Sequence, residues 1–146
     1  MDYTEDRMGT LQKSLRMPDT LVKAIADAAD ASGRDFSAVA NELLREAVAI
    51  RRCPGITFMD GATGRRAVIA GTGVDVWEVV YAYEYADRDL ARLRQAFNQI
   101  PEPQLRAALA YATLYPEEIR RRIAENDAWT PERIAQELPA LVPPRQ

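Results

Sequence analysis

The chain has no histidine and a single cysteine, Cys53, among its 146 residues. Without imidazole, the usual general base near neutral pH is missing, and with it the serine-type triads and most zinc sites. One thiol cannot close an intrachain disulfide, so cysteine usage gives no sign of an oxidising compartment. No apolar run reaches the length of a membrane-spanning helix. The opening, Met1-Asp-Tyr-Thr-Glu-Asp-Arg7, lacks the basic start of a secretory signal. Gly71-Thr72-Gly73 carries two glycines without the rest of a nucleotide-binding pattern. Glu117-Glu118, ahead of an arginine run, reads as a solvated helix face rather than a catalytic pair. These absences predict a cytoplasmic protein that is not an enzyme, with no metal and no cofactor.

Positive charge is also scarce. There are 19 Lys/Arg against 22 Asp/Glu, a net charge of −3, whereas general nucleic-acid binders are basic. Residues 10–52 depart slightly from this, with seven Lys/Arg against six Asp/Glu. Any contact with DNA must rest on the placement of a few cations, which a dimer would double.

What is present begins with one short alternating segment. Thr10 to Met17 reads as a strand with Gln12, Ser14 and Arg16 on one face and Leu11, Leu15 and Met17 on the other. Two helical patterns follow it directly, so no second strand is near. A lone strand leaves its backbone groups unpaired, and the simplest partner is the same strand of a second copy. The resulting two-stranded antiparallel ribbon fits the major groove of duplex DNA, where alternate side chains reach base edges.

Pro18-Asp19 opens the first helix, Leu21, Val22, Ile25, Ala28 and Ala29 give it a periodic face, and Gly33 stops it. Asp35 is the expected N-cap of a second helix. Phe36, Val39, Ala40, Leu43, Leu44, Ala47 and Val48 form on it an apolar face too broad to be covered within residues 10–52. A second chain would cover it, with Leu11, Leu15, Met17, Val39 and Leu43 as the dimer core.

The order strand, helix, glycine turn, helix, with Leu15-Arg16-Met17-Pro18 and Gly33-Arg34-Asp35, resembles the ribbon–helix–helix family over residues 10–52. That resemblance implies base contacts from Gln12, Ser14 and Arg16. It also implies a phosphate held by the helix start at Phe36 and Ser37, aided by Arg34 and Lys13. Lys13 stands where the family has an inward apolar residue. An edge strand of an ordinary α+β domain is the plainer alternative for this segment, and core packing the plainer one for Phe36.

Cys53-Pro54-Gly55 marks the expected boundary between halves. Ile56–Met59 and Ala67–Ala70 then read as two strands joined by a loop from Asp60 to Arg66. Helices are expected at Val76–Ala86, Asp87–Asn98 with Asp87 as cap, Pro103–Tyr115, Pro116–Asn126 and Pro131–Leu138. The fold class is therefore mainly α with short β: a flexible arm at 1–9, a ribbon–helix–helix domain at 10–52, and a hairpin-plus-helices domain of helix-turn-helix type at 54–126. A C-terminal helix with a Pro-rich tail completes the chain at 127–146.

Gly64-Arg-Arg-Ala-Val-Ile-Ala-Gly-Thr72, Val76-Trp77, Arg106-Ala-Ala-Leu-Ala-Tyr111 and Pro116-Glu-Glu-Ile119 resemble the antitoxin-type domain of unknown function family 433, over about residues 54–125. Gly73 and Asp75 depart from the family's usual arginine and proline. The resemblance implies an antitoxin that represses its own promoter and neutralises a nuclease toxin with a PIN-like fold. Double-stranded promoter DNA, a second copy, such a toxin and no membrane are then the expected partners. A stand-alone regulator without a toxin, or an interaction module without nucleic acid, remain the alternatives.

Four further features have two readings each. Arg65 and Arg66 could touch a DNA backbone as a wing, or be a solvated turn. Trp77, Tyr81, Tyr83, Tyr85 and Tyr111 could stack single-stranded bases, but their spacing favours a core or dimer stripe. Arg120-Arg121-Arg122 reads as a solvated face with local ion pairs, or as a phosphate contact. Trp129, Ile134, Leu138, Leu141 and Val142 are candidates for docking a partner.

Overall fold

The computed structural model describes residues 9–137. They form a mainly helical chain with one β-hairpin and divide into two compact units, meeting at Leu43/Leu44. The expected arm falls mostly outside the described residues. Leu138, Leu141, Val142 and the Pro-rich tail lie wholly outside them.

In the first unit, residues 9–18 carry no helix and no strand. A strand exists only through its partner, and this segment pairs with nothing among the described residues of its own chain. Helix α1, Asp19–Ser32, follows Pro18. It ends at Gly33, whose φ of 65° is left-handed and lets Arg34 N–H close back on Ala29 O at 3.1 Å. Helix α2, Phe36–Arg52, is capped as expected: the Asp35 carboxylate accepts from Ala38 N–H at 2.8 Å. The apolar contact between these helices is small. Ile25, Ala29 and Val39 are buried, with Met17, Phe36 and Ala40 packed beside them.

The last turns of α2 belong to the second unit. Ala49 and Cys53 enter its core, so the division falls inside a helix, upstream of the Cys53-Pro54-Gly55 turn. The hairpin pairs β1, Ile56–Gly61, with β2, Gly64–Ile69, from Ile56 opposite Ile69 to Gly61 opposite Gly64. The expected seven-residue loop is thus a two-residue turn, Ala62-Thr63. Gly64, at φ 102°, supplies the conformation that so tight a reversal needs.

Helices α3 (Val76–Tyr85), α4 (Leu90–Ala96), α5 (Glu102–Leu114) and α6 (Pro116–Asp127) pack with the hairpin, and α7 (Pro131–Glu137) follows. Ile56, Ile69, Val76, Val79, Leu93, Leu105, Ala108 and Tyr111 are at most 2% exposed and form the centre of the core. One helix start differs from expectation. Asp87 and Arg88 adopt left-handed φ values of 55° and 58°, turning the chain, and Asp89 is the cap. The Asp89 carboxylate takes two helix-start amides, Ala91 at 2.9 Å and Arg92 at 3.3 Å, which Asp87 cannot reach. No helix among the described residues is long and apolar enough to cross a membrane.

Candidate nucleic-acid interface

Gln12, Ser14, Arg16 and Lys13 are all exposed. So are the leucines that alternate with them, Leu11 at 92% and Leu15 at 64%. Met17 packs against the first unit's core, and Val39 is buried within it. Leu43 remains 44% exposed, with Leu21, Val22, Leu44 and Val48 also open. Of the apolar face on α2 that sequence periodicity marked as uncovered, Phe36, Val39 and Ala40 pack in the first unit's core, whereas Leu43, Leu44, Ala47 and Val48 stay exposed in the single chain.

At the start of α2, Ser37 is exposed and Phe36 half-buried against the core, so its ring packs while its backbone stays at the helix end. The first-turn amides of Phe36 and Ser37 have no protein acceptor among the described residues. Arg34 is bound to both oxygens of Glu42 at 3.0 Å. Its charge is therefore shared before any phosphate arrives.

Arg65 and Arg66 are neither free nor simply solvated. Arg65 donates to Glu46 at 2.7 and 3.2 Å and to Asp60 at 3.1 Å, and these bonds hold its guanidinium firmly charged. Arg66 pairs with Asp75, a 7% exposed carboxylate that also accepts from Trp77 Nε1 at 2.9 Å. The Glu78 carboxylate in turn accepts from Asp75 N–H at 2.9 Å, fixing the start of α3. The arginine run of α6 also divides. Arg120 and Arg121 are exposed, as expected of a solvated face, whereas the Arg122 side chain is only 12% exposed. It clasps the hairpin turn through Thr63 Oγ1 at 2.7 Å and Arg65 O at 2.5 Å.

Of the aromatic residues among those described, only Tyr111 is fully buried. Burial first, and then its 2.6 Å bond to Glu118, push its phenol well above the usual range. Above pH about 10 the unfolded chain loses this proton and the folded chain keeps it, so stability should fall as pH rises further. Tyr111→Phe should remove that tyrosine's share of the slope. It should also cost about 2 kcal/mol at neutral pH, because Glu118 loses a donor. Urea unfolding at several pH values measures both. Cys53, buried, donates to Ala107 O at 3.0 Å, and burial raises its thiol pKa.

Trp77 and Tyr83 are half-buried, while Tyr81 is 43% and Tyr85 86% exposed. Trp129 is 42% exposed and lies under the Arg133 guanidinium at 4.6 Å. Ile134 falls within α7, its side chain outside what is described, as is Leu138.

The distribution of ion pairs carries information that composition hides. Every arginine from Arg65 to Arg133 has a carboxylate within 4.0 Å. Lys23 and Arg34 are likewise paired, with Asp27 and Glu42. Among the described residues, the cations left without such a partner are Lys13, Arg16, Arg45, Arg51 and Arg52. Sequence reasoning missed the last three as a group. Glu42 and Glu46 sit beside Arg45, and only coordinates show that Arg34 and Arg65 engage them. Among the described residues, no group of three or more acidic or cysteine side chains stands ready for a metal.

No curated protein and no solved structure matches the chain. Residues 56–112, from β1 into α5 and spanning the Gly64–Thr72 and Arg106–Tyr111 motifs, match the family described as a protein of unknown function (DUF433).

Proposed function

We propose that this chain is a homodimeric, sequence-specific DNA-binding repressor, in which residues 10–17 of two copies pair as an antiparallel ribbon. The observation that carries this reading is the state of Leu11 and Leu15. Both stand in water beside unpaired backbone, alternating with Gln12, Ser14 and Arg16. Pairing with a twin removes both penalties together. Gln12, Ser14 and Arg16 then face base edges, Lys13 meets the backbone, and the free amides of Phe36 and Ser37 receive a phosphate. The unpaired Lys13 and Arg16 supply positive charge where an otherwise acidic protein needs it.

The second unit, whose arginines from Arg65 to Arg133 are paired with its own carboxylates, serves a protein partner in this reading rather than DNA. Together with the family resemblance this gives an antitoxin that controls its own promoter and neutralises a PIN-like nuclease, in the cytoplasm.

Selection of bound duplexes from a random library tests the proposal. A palindrome with fixed half-site spacing is expected. Arg16→Ala should weaken binding to that site by about 1–3 kcal/mol and relax preference at one base pair, if the arginine reads guanine. Unchanged affinity and preference would remove the ribbon assignment. Failure to enrich any duplex at low salt would leave the protein-interaction alternative.

A further inference from the structure

The arginines of the second unit fall into two groups. From Arg65 to Arg133 each has a carboxylate within 4.0 Å. Arg45, Arg51 and Arg52, on the part of α2 that belongs to this unit, are exposed and have none among the described residues. Glu42, one turn before Arg45, is the carboxylate placed to neutralise it. Both of its oxygens instead take Arg34 at 3.0 Å. The next one along, Glu46, is held by Arg65 at 2.7 Å, and no acidic residue follows on α2. Three positive charges thus stand uncompensated in a chain whose net charge is −3.

The helix dipole accounts for part of this. Arg51 and Arg52 lie in the last turn, where its negative end favours cations. Arg45 lies about two turns earlier, beyond that effect, and a dipole offers no acceptor to a guanidinium fork. Arg45 and Arg52, seven residues apart, share one line of the helix at about 10.5 Å along its axis, with Arg51 on the flank. Ala49 and Cys53 on the same stretch are buried in the unit's core. The backbone carrying the three arginines is therefore held in place, and an occupant has only side chains to order.

Two chemistries have the right charge, phosphate and carboxylate. The duplex of the proposed function is gripped at the start of α2. Arg45 stands about 13.5 Å further along the helix and Arg52 about 24 Å. A duplex held at one end of this helix leaves the other end to something else. We propose that this face of α2 docks an acidic segment of a protein partner, whose Asp and Glu carboxylates take the forks of Arg45, Arg51 and Arg52 as arginine favours. The inference rests on reading the second unit as the one that meets a protein, and it gives that partner a chemistry.

Fluorescence anisotropy of labelled poly-L-glutamate, titrated with the full chain at low salt, tests the proposal. The parent should bind, and the binding should fade as salt is raised. R45A/R51A/R52A should bind at least about tenfold more weakly. All three residues are exposed, so this variant should keep the parent's circular dichroism and melting temperature. K13A/R16A, which removes the unpaired cations of the ribbon, should bind poly-L-glutamate like the parent. On the selected palindrome, R45A/R51A/R52A should match the parent in affinity and in salt dependence. Equal affinity of the parent and the triple variant for poly-L-glutamate overturns the proposal. So does a salt slope on DNA that falls by about 0.9 for each arginine removed, which would make the face a phosphate contact. Arginine-dependent poly-L-glutamate binding with no duplex selected would remove the repressor and keep this surface. A selected palindrome without that binding would do the reverse.

Discussion

Asp75→Ala should destabilise the second unit by about 3 kcal/mol, the lower end for a broken buried pair because the Arg66 side chain keeps 32% exposure. Asp75 is 7% exposed and accepts from Arg66 and from Trp77 Nε1, while its own amide is held by Glu78. Removing the carboxylate leaves the Arg66 guanidinium, whose Nε already has no acceptor among the described residues, without the charge that offsets its desolvation. It also frees the indole N–H. Asp75→Asn separates the contributions, because an amide oxygen can still accept from Trp77 but carries no charge for Arg66. Its loss should be intermediate. Urea unfolding followed by Trp77 fluorescence measures both variants, with Trp129→Phe as background to isolate the signal. Equal stability of Asp75→Ala and the parent would mean that the pair only balances its own desolvation cost.

The second large effect concerns assembly. Leu11→Lys with Leu15→Lys should weaken dimerisation at least about 100-fold, or roughly 2.8 kcal/mol, since burying one leucine is itself worth about 1.5–3 kcal/mol. Site-specific DNA binding should disappear with it. The substitution is informative because it adds positive charge, which raises non-specific attraction to any duplex. Loss of the selected site despite that gain would isolate the ribbon's geometry from its charge. A double variant that still sediments and binds the selected palindrome like the parent would show that these leucines do not hold two copies together.

Much of the local architecture was legible because its signals are local. Gly33 and Asp35 mark a helix stop and start within three residues, and both act as their chemistry dictates. The helices from Glu102 onward were likewise readable to within a residue, and the hairpin was readable as two strands, although β2 begins three residues earlier than expected and the loop shrinks to two residues. The cap of α4 was not, because Asp87-Arg88-Asp89 offers two carboxylates and only the three-dimensional turn selects the second. The fate of the arginines was hidden for a different reason. Arg122 reaches Thr63 and Arg65, and Arg65 reaches Glu46, across separations in sequence that no periodicity records. A run of three arginines therefore looked uniformly solvated when one member is a structural clasp. For the candidate interface, the alternation of Leu11 to Met17 was visible at once. Its pairing depends on a second molecule, so a single chain shows only the need.

The position of Ala49 and Cys53 bears on where the protein can be cut. Because they fill the interior of the second unit from the end of α2, a piece beginning at Pro54 would lack two wall residues and expose the hollow behind them. The smallest autonomous C-terminal fragment thus starts well upstream of the proline–glycine turn that a reader would choose for trimming, and a protease nick at that turn would unseat the fragment rather than release it.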